Sequence, residues 1–378
     1  MKVLIIGSDK KLLDKTSAVA QRTVKYGEMA DQLFIINFTK RGYVPMDLSA
    51  KVQVYPTNSF SKLFYYFDAI RISKRIYAQH KIDVISTQDP FEAGLVGLRL
   101  KRKFKTALNV QIHGDFFSND YWVKQSWLNR IRLSFGKRIL PQADSVRAVS
   151  QRIAASLIKL KVKKEKITVA PIFVDRQKLT NVTPQFDLHK IYPGRFIILS
   201  VGRLVKEKNL PLLIRAFKKN NQQLPRTVLL IVGSGPDEAR LKKLATSLNL
   251  NQQVIFKGWQ DDLASYYKTA DLLVVTSNSE GYNRTVIEAM ACGLPVIMTN
   301  VGLAGEVIIN NENGLVISQD NEEELINAIT KLINNQQLRE QLATRAKLTV
   351  QNLPSADDSL KIILQSWQTA VNHKIKNV

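Results

Sequence analysis

Short apolar runs recur along the chain, separated by longer amphipathic stretches. Lys2–Ile6, Gln32–Asn37, Val52–Tyr55, Val84–Thr87 and Ala107–Ile112 are too short for helices and rich in aliphatic and β-branched residues. They predict strands buried on both faces, and Ser145–Val149 and Ile167–Ala170 add two more. Between them, Lys62–His80 and Trp127–Leu140 predict helices. A second set of strands follows Arg195: Phe196–Ser200, Thr227–Val232, Val254–Lys257, Leu272–Thr276 and Pro295–Thr299. Leu210–Asn220, Pro236–Leu248 and Thr285–Ala291 are the helices interleaved with them, the last stopped by Gly293 and Pro295. Alternation of strand and helix predicts an α/β chain with two doubly wound parallel sheets. Asp175–Gly194 has no periodicity and carries Pro184, Pro193 and Gly194, so it reads as a connection. The expected division is a first domain over 1–180, a linker over 181–195, a second domain over 196–354 and a helical tail over 355–378.

At 378 residues the chain is long for one core, which agrees with two domains. No apolar run approaches the length of a membrane span, and the apolar start Val3–Ile6 is too short for a signal peptide and reads as a strand. A single cysteine, Cys292, excludes an intrachain disulfide and fits a reducing cytoplasm; in its run of small residues it reads as a packing residue. The four histidines are scattered and no Cys/His cluster has metal spacing. Charge is distributed unevenly: residues 1–195 hold 35 Lys and Arg against 15 Asp and Glu, the remainder 20 against 17. A net +20 on one half points to a polyanion or an anionic membrane as its partner.

Chemistry concentrates where strands end. Glu280 lies in the polar loop after the strand Leu272–Thr276, and Glu288 lies about two turns into the helix that follows. At the carboxyl end of a parallel strand, such a pair beside the free amides of a helix start can hold sugar hydroxyls and a phosphate. Gly202 lets the backbone turn after the strand Phe196–Ser200. Arg203 and Lys208 follow in its loop, a planar fork and a point charge suited to one diphosphate. Gly233 and Gly235 form a glycine loop between a strand and a helix start, open to close approach by a ligand. Trp259 suits either base stacking or packing. In the first half, His113 closes a strand next to Gly114 and Asp115. Asp89-Pro90 is a helix cap, or a contact to a second substrate.

The segment Ser279–Ile297, with its Glu-x7-Glu spacing, Gly281 and Ala-Met-Ala-Cys-Gly-Leu-Pro-Val run, resembles the signature of retaining glycosyltransferases of family 4, which have the GT-B fold. The resemblance implies two Rossmann-like domains facing a cleft, with acceptor bound by residues 1–180 and nucleotide-sugar by 196–354, and a last helix crossing back to the first domain. It implies that Glu280 contacts donor sugar hydroxyls, that Glu288 binds the ribose, and that Gly281, Tyr282 and Asn283 lie against the donor. Gly202, Arg203 and Lys208 resemble the family's Gly-Arg…Lys-Asn segment, whose cations neutralise the leaving diphosphate, and Gly233 and Gly235 match its loop near the nucleotide. His113 resembles the strand-end histidine that touches the donor sugar; Gly7, Asp89 and Asp115 are the acceptor-side candidates. The first loop, Gly7-Ser8-Asp9, departs from the family in having one glycine where many members have a pair.

These features lead to a retaining hexosyltransferase that uses a UDP- or GDP-sugar and a glycan or lipid-linked acceptor in envelope glycan, polysaccharide or glycolipid synthesis. No Asp-x-Asp motif follows a strand, so no metal and no other cofactor are expected. The expected place is the cytoplasm, at the inner face of the plasma membrane. Two alternatives stay open: a GT-B nucleotide-sugar 2-epimerase, and a non-catalytic basic nucleic-acid-binding protein argued from charge alone. The second lacks any recognisable nucleic-acid-binding motif.

Overall fold

The computed structural model describes residues 1–223 and 226–376; residues 377 and 378 of the expected tail lie outside them. The chain divides into two compact units, Met1–Pro171 with Asp357–Val378, and Ile172–Ala356.

In the first unit the chain runs β1 (Lys2–Gly7), α1 (Ala18–Glu28), β2 (Gln32–Asn37), β3 (Met46–Ser49), β4 (Val52–Pro56), α2 (Tyr65–Gln79), β5 (Val84–Thr87) and α3 (Glu92–Phe104). It continues through β6 (Ala107–Ile112), α4 (Asp120–Lys124), α5 (Trp127–Ile139), β7 (Ser145–Ala148), α6 (Gln151–Lys159) and β8 (Ile167–Val169). The strands form one sheet in the order β3-β4-β2-β1-β5-β6-β7-β8. Pairing is parallel except where β3 meets β4. The chain passes from β4 to β5, β6 and β7 in one direction across this sheet, so right-handed crossovers place α2, α3 and α5 on the same face. Gly97 of α3 sits tight on that face: a Cβ there would lie 2.6 Å from Thr87 and 2.9 Å from Leu108.

The second unit contains α7 (Arg176–Asn181), α8 (Leu188–Ile191), β9 (Phe196–Val201), α9 (Leu210–Gln223), β10 (Thr227–Val232), α10 (Glu238–Ser247) and β11 (Val254–Gly258). After these come α11 (Leu263–Thr269), β12 (Leu272–Val275), α12 (Arg284–Cys292), β13 (Val296–Thr299), β14 (Leu315–Ile317), α13 (Glu322–Asn334) and α14 (Gln336–Gln351). Its sheet has the order β11-β10-β9-β12-β13-β14, parallel throughout. The order reverses beside β9, between the directions leading to β10 and to β12, and this is the switch point at which open α/β sheets take ligands. Residues 181–195, read from the sequence as a linker, lie in this unit. The local reason is the capped turn of α8, where Asp187 accepts from His189 N at 2.9 Å and Leu188 is buried.

The last helix, α15 (Ala356–Lys376), belongs to the first unit. It covers the sheet face opposite α3. Trp367 is 0% exposed and packs with Val3, Ile5, Leu33, Val84 and Ala107. Beneath it runs a ladder of buried polar side chains. Ser86 Oγ donates to Asn109 Oδ1 (2.9 Å), Asn109 Nδ2 to Ser145 Oγ (2.8 Å), and Ser145 Oγ to the carbonyl of Ser366 (2.7 Å). Gln111 Nε2 donates to Ser86 Oγ and takes Arg147 Nη1 on its own oxygen at 2.7 Å. The indole of Trp367 donates to Ser86 Oγ at 3.3 Å. Polar groups this deep are tolerated because they pair with one another, Arg147 Nε alone among them lacking a partner, and the register they impose fixes α15 on the sheet.

Replacing Trp367 by Ala removes the largest side chain buried there and should cost about 3–5 kcal/mol of unfolding free energy in the first unit. Trp259→Ala, at a position 63% exposed, should change stability by less than about 0.5 kcal/mol. Urea denaturation followed by circular dichroism tests both; equal effects would contradict the packing of α15.

Candidate active site

The carboxyl ends of β9 and β12 carry two loops that are stitched together. Thr276 Oγ1 donates to the carbonyls of Lys208 (3.0 Å) and Asn209 (3.1 Å), and Asn278 N donates to the carbonyl of Glu207 (2.7 Å). Asn209, in the left-handed region at φ +46, extends the seam by donating to Asn278 Oδ1 and, at 2.6 Å, to Asp320 Oδ1. This seam sets Lys208 against Glu280. Lys208 Nζ donates to Glu280 Oε1 at 2.5 Å, joined by Ser277 Oγ (2.7 Å) and Asn283 Nδ2 (3.3 Å). All three donors reach Oε1, so Oε2 is the atom that remains for other hydroxyls. A depression lined by Gly202, Arg203, Lys208, Thr276 and Ser277 lies beside them.

Glycine is required at close approaches around this depression. Gly202 has φ +153, and a Cβ on it would sit 3.3 Å from Lys208 Cε, so the lysine stem lies over a bare backbone. Gly233, at φ +135, comes so near β9 that a Cβ would fall 1.9 Å from the carbonyl oxygen of Gly202. A Cβ on Gly235 would fall 2.3 Å from the carbonyl oxygen of Leu204. The glycine loop therefore abuts the Gly202–Leu204 backbone, and Leu204 N donates to the carbonyl of Ser234 at 2.9 Å. Arg203 and Lys206 are exposed, whereas Lys208 is half-buried.

The helix after Glu280 begins without a side-chain cap. Asn283 sits before α12 in the left-handed region at φ +65, and its amide is spent on Glu280 and on Thr285 Oγ1 (2.6 Å). No side chain caps the first turn of α12, where Val286 N donates to the carbonyl of Asn283 at 3.3 Å, and an anion at this end would have the helix dipole behind it. Tyr282 is buried, which pushes its phenol up to about 12, with Glu306 adding to the effect. Just over one turn into α12, rather than the two expected from the sequence, Glu288 is mostly buried, and this burial raises its carboxyl above the usual range. Tyr267 donates to Glu288 Oε2 at 3.0 Å, and Arg284 reaches Oε1 at 3.3 Å. Tyr267 is 1% exposed and was not singled out by the sequence reading, nor was Ser277. Cys292, at the end of α12, is half-buried, and burial lifts its thiol to about 11, consistent with a packing residue. Trp259 is exposed and its indole donates to Asp261 at 3.0 Å.

In the first unit, Gly7, Gln88 and His113 come together at the carboxyl ends of β1, β5 and β6. A Cβ on Gly7 would meet Gln88 Cγ at 2.8 Å, and Gln88 Oε1 is 3.2 Å from His113 Nε2. With the amide oxygen facing the ring, Nε2 carries the proton and Nδ1 is free to accept. Burial, followed by the positive charges of Arg147 and Arg22, holds the imidazole down to about 3. Gln88 was not singled out from the sequence. Asp115 does not bond His113: it closes a turn by accepting from Ser118 N (3.2 Å) and Ser118 Oγ. Asp89 caps the start of α3, accepting from Phe91 N (2.8 Å) and Ala93 N (3.2 Å), and burial raises its carboxyl to about 6. Among the described residues, no three His, Cys, Asp or Glu side chains group as metal ligands.

His113 should stay neutral from pH 8 down to pH 5, so ring-proton NMR should show no titration near the ordinary 6.5. Because its folded value lies below its unfolded one, the fold should lose stability as pH drops from 6.5 toward 3. A ring that titrates near 6.5 would show that it is solvated.

Comparison with known proteins agrees with this geometry. The model of the glycosyl transferases group 1 matches residues 182–349, and that of glycosyltransferase family 4 matches residues 35–178. An uncharacterised glycosyltransferase of Methanocaldococcus jannaschii is 29% identical over 76% of both chains. The capsular polysaccharide biosynthesis glycosyltransferase CapM of Staphylococcus aureus is 30% identical over 62% of this chain and 63% of its own. Among solved structures, sucrose-phosphate synthase of Thermosynechococcus elongatus superposes with a TM-score of 0.80 at 25% identity, covering 97% of this chain and 98% of that one. HepE of Anabaena, solved with UDP and glucose, gives 0.76 at 21%, covering 97% and 99%. The chain belongs to the group 1 and family 4 glycosyltransferases and has the GT-B fold.

Proposed function

We propose that this glycosyltransferase moves a hexose from a UDP- or GDP-sugar to an acceptor hydroxyl with retention at the anomeric carbon, without a metal. The observation that carries the reading is the convergence of Lys208, Ser277 and Asn283 on one oxygen of Glu280, beside the uncapped start of α12. A carboxylate held by one oxygen presents the other to sugar hydroxyls at a fixed place. Lys208 and Arg203 neutralise the diphosphate as it leaves, and the amides of α12 add to them. Glu288, oriented by Tyr267, accepts from the ribose. His113, a neutral imidazole, offers Nδ1 to the donor sugar. Binding of UDP by HepE and of UDP-glucose by the same protein supports a nucleotide-sugar donor.

Retention is read as front-face. Glu280 is spent on hydroxyl binding, so no carboxylate is assigned as a nucleophile, and the departing diphosphate oxygen takes the acceptor proton. Metal independence follows from the lack of an Asp-x-Asp motif after a strand. Named relatives act in capsular polysaccharide biosynthesis and as an alpha-monoglucosyldiacylglycerol synthase, which supports an envelope glycan or glycolipid acceptor. The place is then the cytoplasm, at the inner face of the membrane when the acceptor is lipid-linked. Gly7, Asp89 and Asp115 remain the acceptor-side candidates, Asp89 with one oxygen already spent on its cap.

Arg203→Ala and Lys208→Ala should each lower turnover at saturating donor by about 2.7–4 kcal/mol of barrier. Near wild-type rates in both would displace the diphosphate site. Activity should persist in excess EDTA; loss restored by Mg²⁺ or Mn²⁺ would refute metal independence.

Tyr267→Phe should weaken nucleoside diphosphate binding by about 1–3 kcal/mol, because Glu288 loses the donor that orients it. A dideoxyribose nucleotide, which has no hydroxyls for Glu288, should bind wild type and variant alike in calorimetry. Equal weakening for both nucleotides would make Tyr267 merely structural.

A further inference from the structure

The first unit carries large apolar side chains outside its core, and they gather at one end of one helical layer. Leu63 is 84% exposed and Phe67 65%, in the turn leading into α2 and in its first turn. Trp127 is 69% exposed at the start of α5, with Leu128 and Ile131 also in solvent. These side chains are not holding helices together. The core role at the same places falls to their neighbours: Tyr65 stacks on Phe38 at 5.3 Å, and Trp122 on Phe91 at 5.0 Å.

The two groups share a face. Helices α2, α3 and α5 lie on the same side of the sheet, with α3 packed against both of the others. Each begins at the carboxyl ends of the strands. Arg132 of α5 pairs with Glu92 in the first turn of α3 at 2.7 Å, and Tyr66 of α2 lines a groove with Leu98, Arg99 and Arg102 of α3. The apolar side chains of α2 and α5 therefore flank α3, and the groove carries two guanidinium groups. Of the cations here, Lys101, Lys124 and Arg132 are ion-paired with Asp144, Asp120 and Glu92, whereas Arg99, in the second half of α3, and Arg130 of α5 are exposed. Among the described residues, no helix is long and apolar enough to cross a membrane.

We propose that this face, the starts of α2 and α5 with the basic α3 between them, docks on an anionic lipid surface. Aromatic and aliphatic side chains standing out of a helix end suit the boundary between headgroups and acyl chains, and the surrounding cations match anionic headgroups. A protein partner would be expected to meet a face with fewer unpaired cations, since charged residues are depleted at interface centres. This docking goes beyond the transfer reading and does not depend on it, because vesicle binding is measured without donor or acceptor.

The test is sedimentation of the full chain with vesicles of phosphatidylcholine alone or with 30% phosphatidylglycerol. The protein should pellet with the anionic vesicles, at least tenfold less with the neutral ones, and less again at 0.5 M salt. The variant Leu63→Ser/Phe67→Ser/Trp127→Ser alters only exposed positions. It should keep the wild-type circular dichroism spectrum and melting temperature and lose vesicle binding by tenfold or more. A second variant, Arg99→Gln/Arg102→Gln, should lose the preference for anionic vesicles. Equal pelleting with both vesicle types, or undiminished binding by the triple variant, would overturn the proposal. So would a wild-type dimer in analytical ultracentrifugation that the triple variant converts to monomer, since the face would then bind a second copy.

Discussion

The contact between Lys208 and Glu280 is the constraint around which the second unit is arranged. A half-buried ammonium and a carboxylate at 2.5 Å are costly to desolvate unless other groups share the charge. Ser277 and Asn283 do this for the carboxylate, and the seam from Thr276 to Lys208 and Asn209 holds the lysine in place. Gly202 is bare where the lysine stem crosses it, and Gly302, at φ +55, is bare where a Cβ would lie 2.8 Å from Cβ of Glu280. The switch point of the sheet, two loops, two glycines and the uncapped helix are consequences of one requirement: a carboxylate and a cation must be rigid and close at the same strand ends.

The first unit solves a different problem. Its sheet is covered on one face by α2, α3 and α5 and on the other by α15, a helix distant in sequence from every strand beneath it. Apolar packing alone would leave the register of that helix loose. The ladder from Ser86 through Asn109 and Ser145 to the carbonyl of Ser366 pins it. The same ladder contains Gln111 and Arg147, and the charge of Arg147 contributes to keeping His113 neutral. Anchoring of the last helix and the protonation state of a candidate site residue are linked through one buried guanidinium.

Long, strongly patterned elements were legible in the sequence. Ranges for β2, β5, β6 and β10 match the structure residue for residue, because each is a short run rich in aliphatic and β-branched residues, too short for a helix. β3 was not foreseen: Met46–Ser49 is a half-exposed edge strand with no alternation to mark it, and β14 is three residues long. The supposed linker lacked periodicity because α7 and α8 are too short to show one. Glu280 and Glu288 could be found because a strand, a loop and a helix place them in order. Tyr267, Ser277 and Gln88 could not: each acts through a single hydroxyl or amide whose partner is set by tertiary adjacency. Asp89 and Asp115 were equivocal for the same reason, and the structure resolves their bonding as a helix cap and a turn.

Whether Lys208 and Glu280 act as one unit is measured directly by a double-mutant cycle on kcat/KM. Lys208→Met, Glu280→Gln and the double variant would be assayed with the same donor and acceptor. A coupled pair predicts that the double variant is little worse than the poorer single one, with an interaction energy of about 1–3 kcal/mol. Additivity within about 0.5 kcal/mol would contradict it and leave the two residues as independent parts of the site.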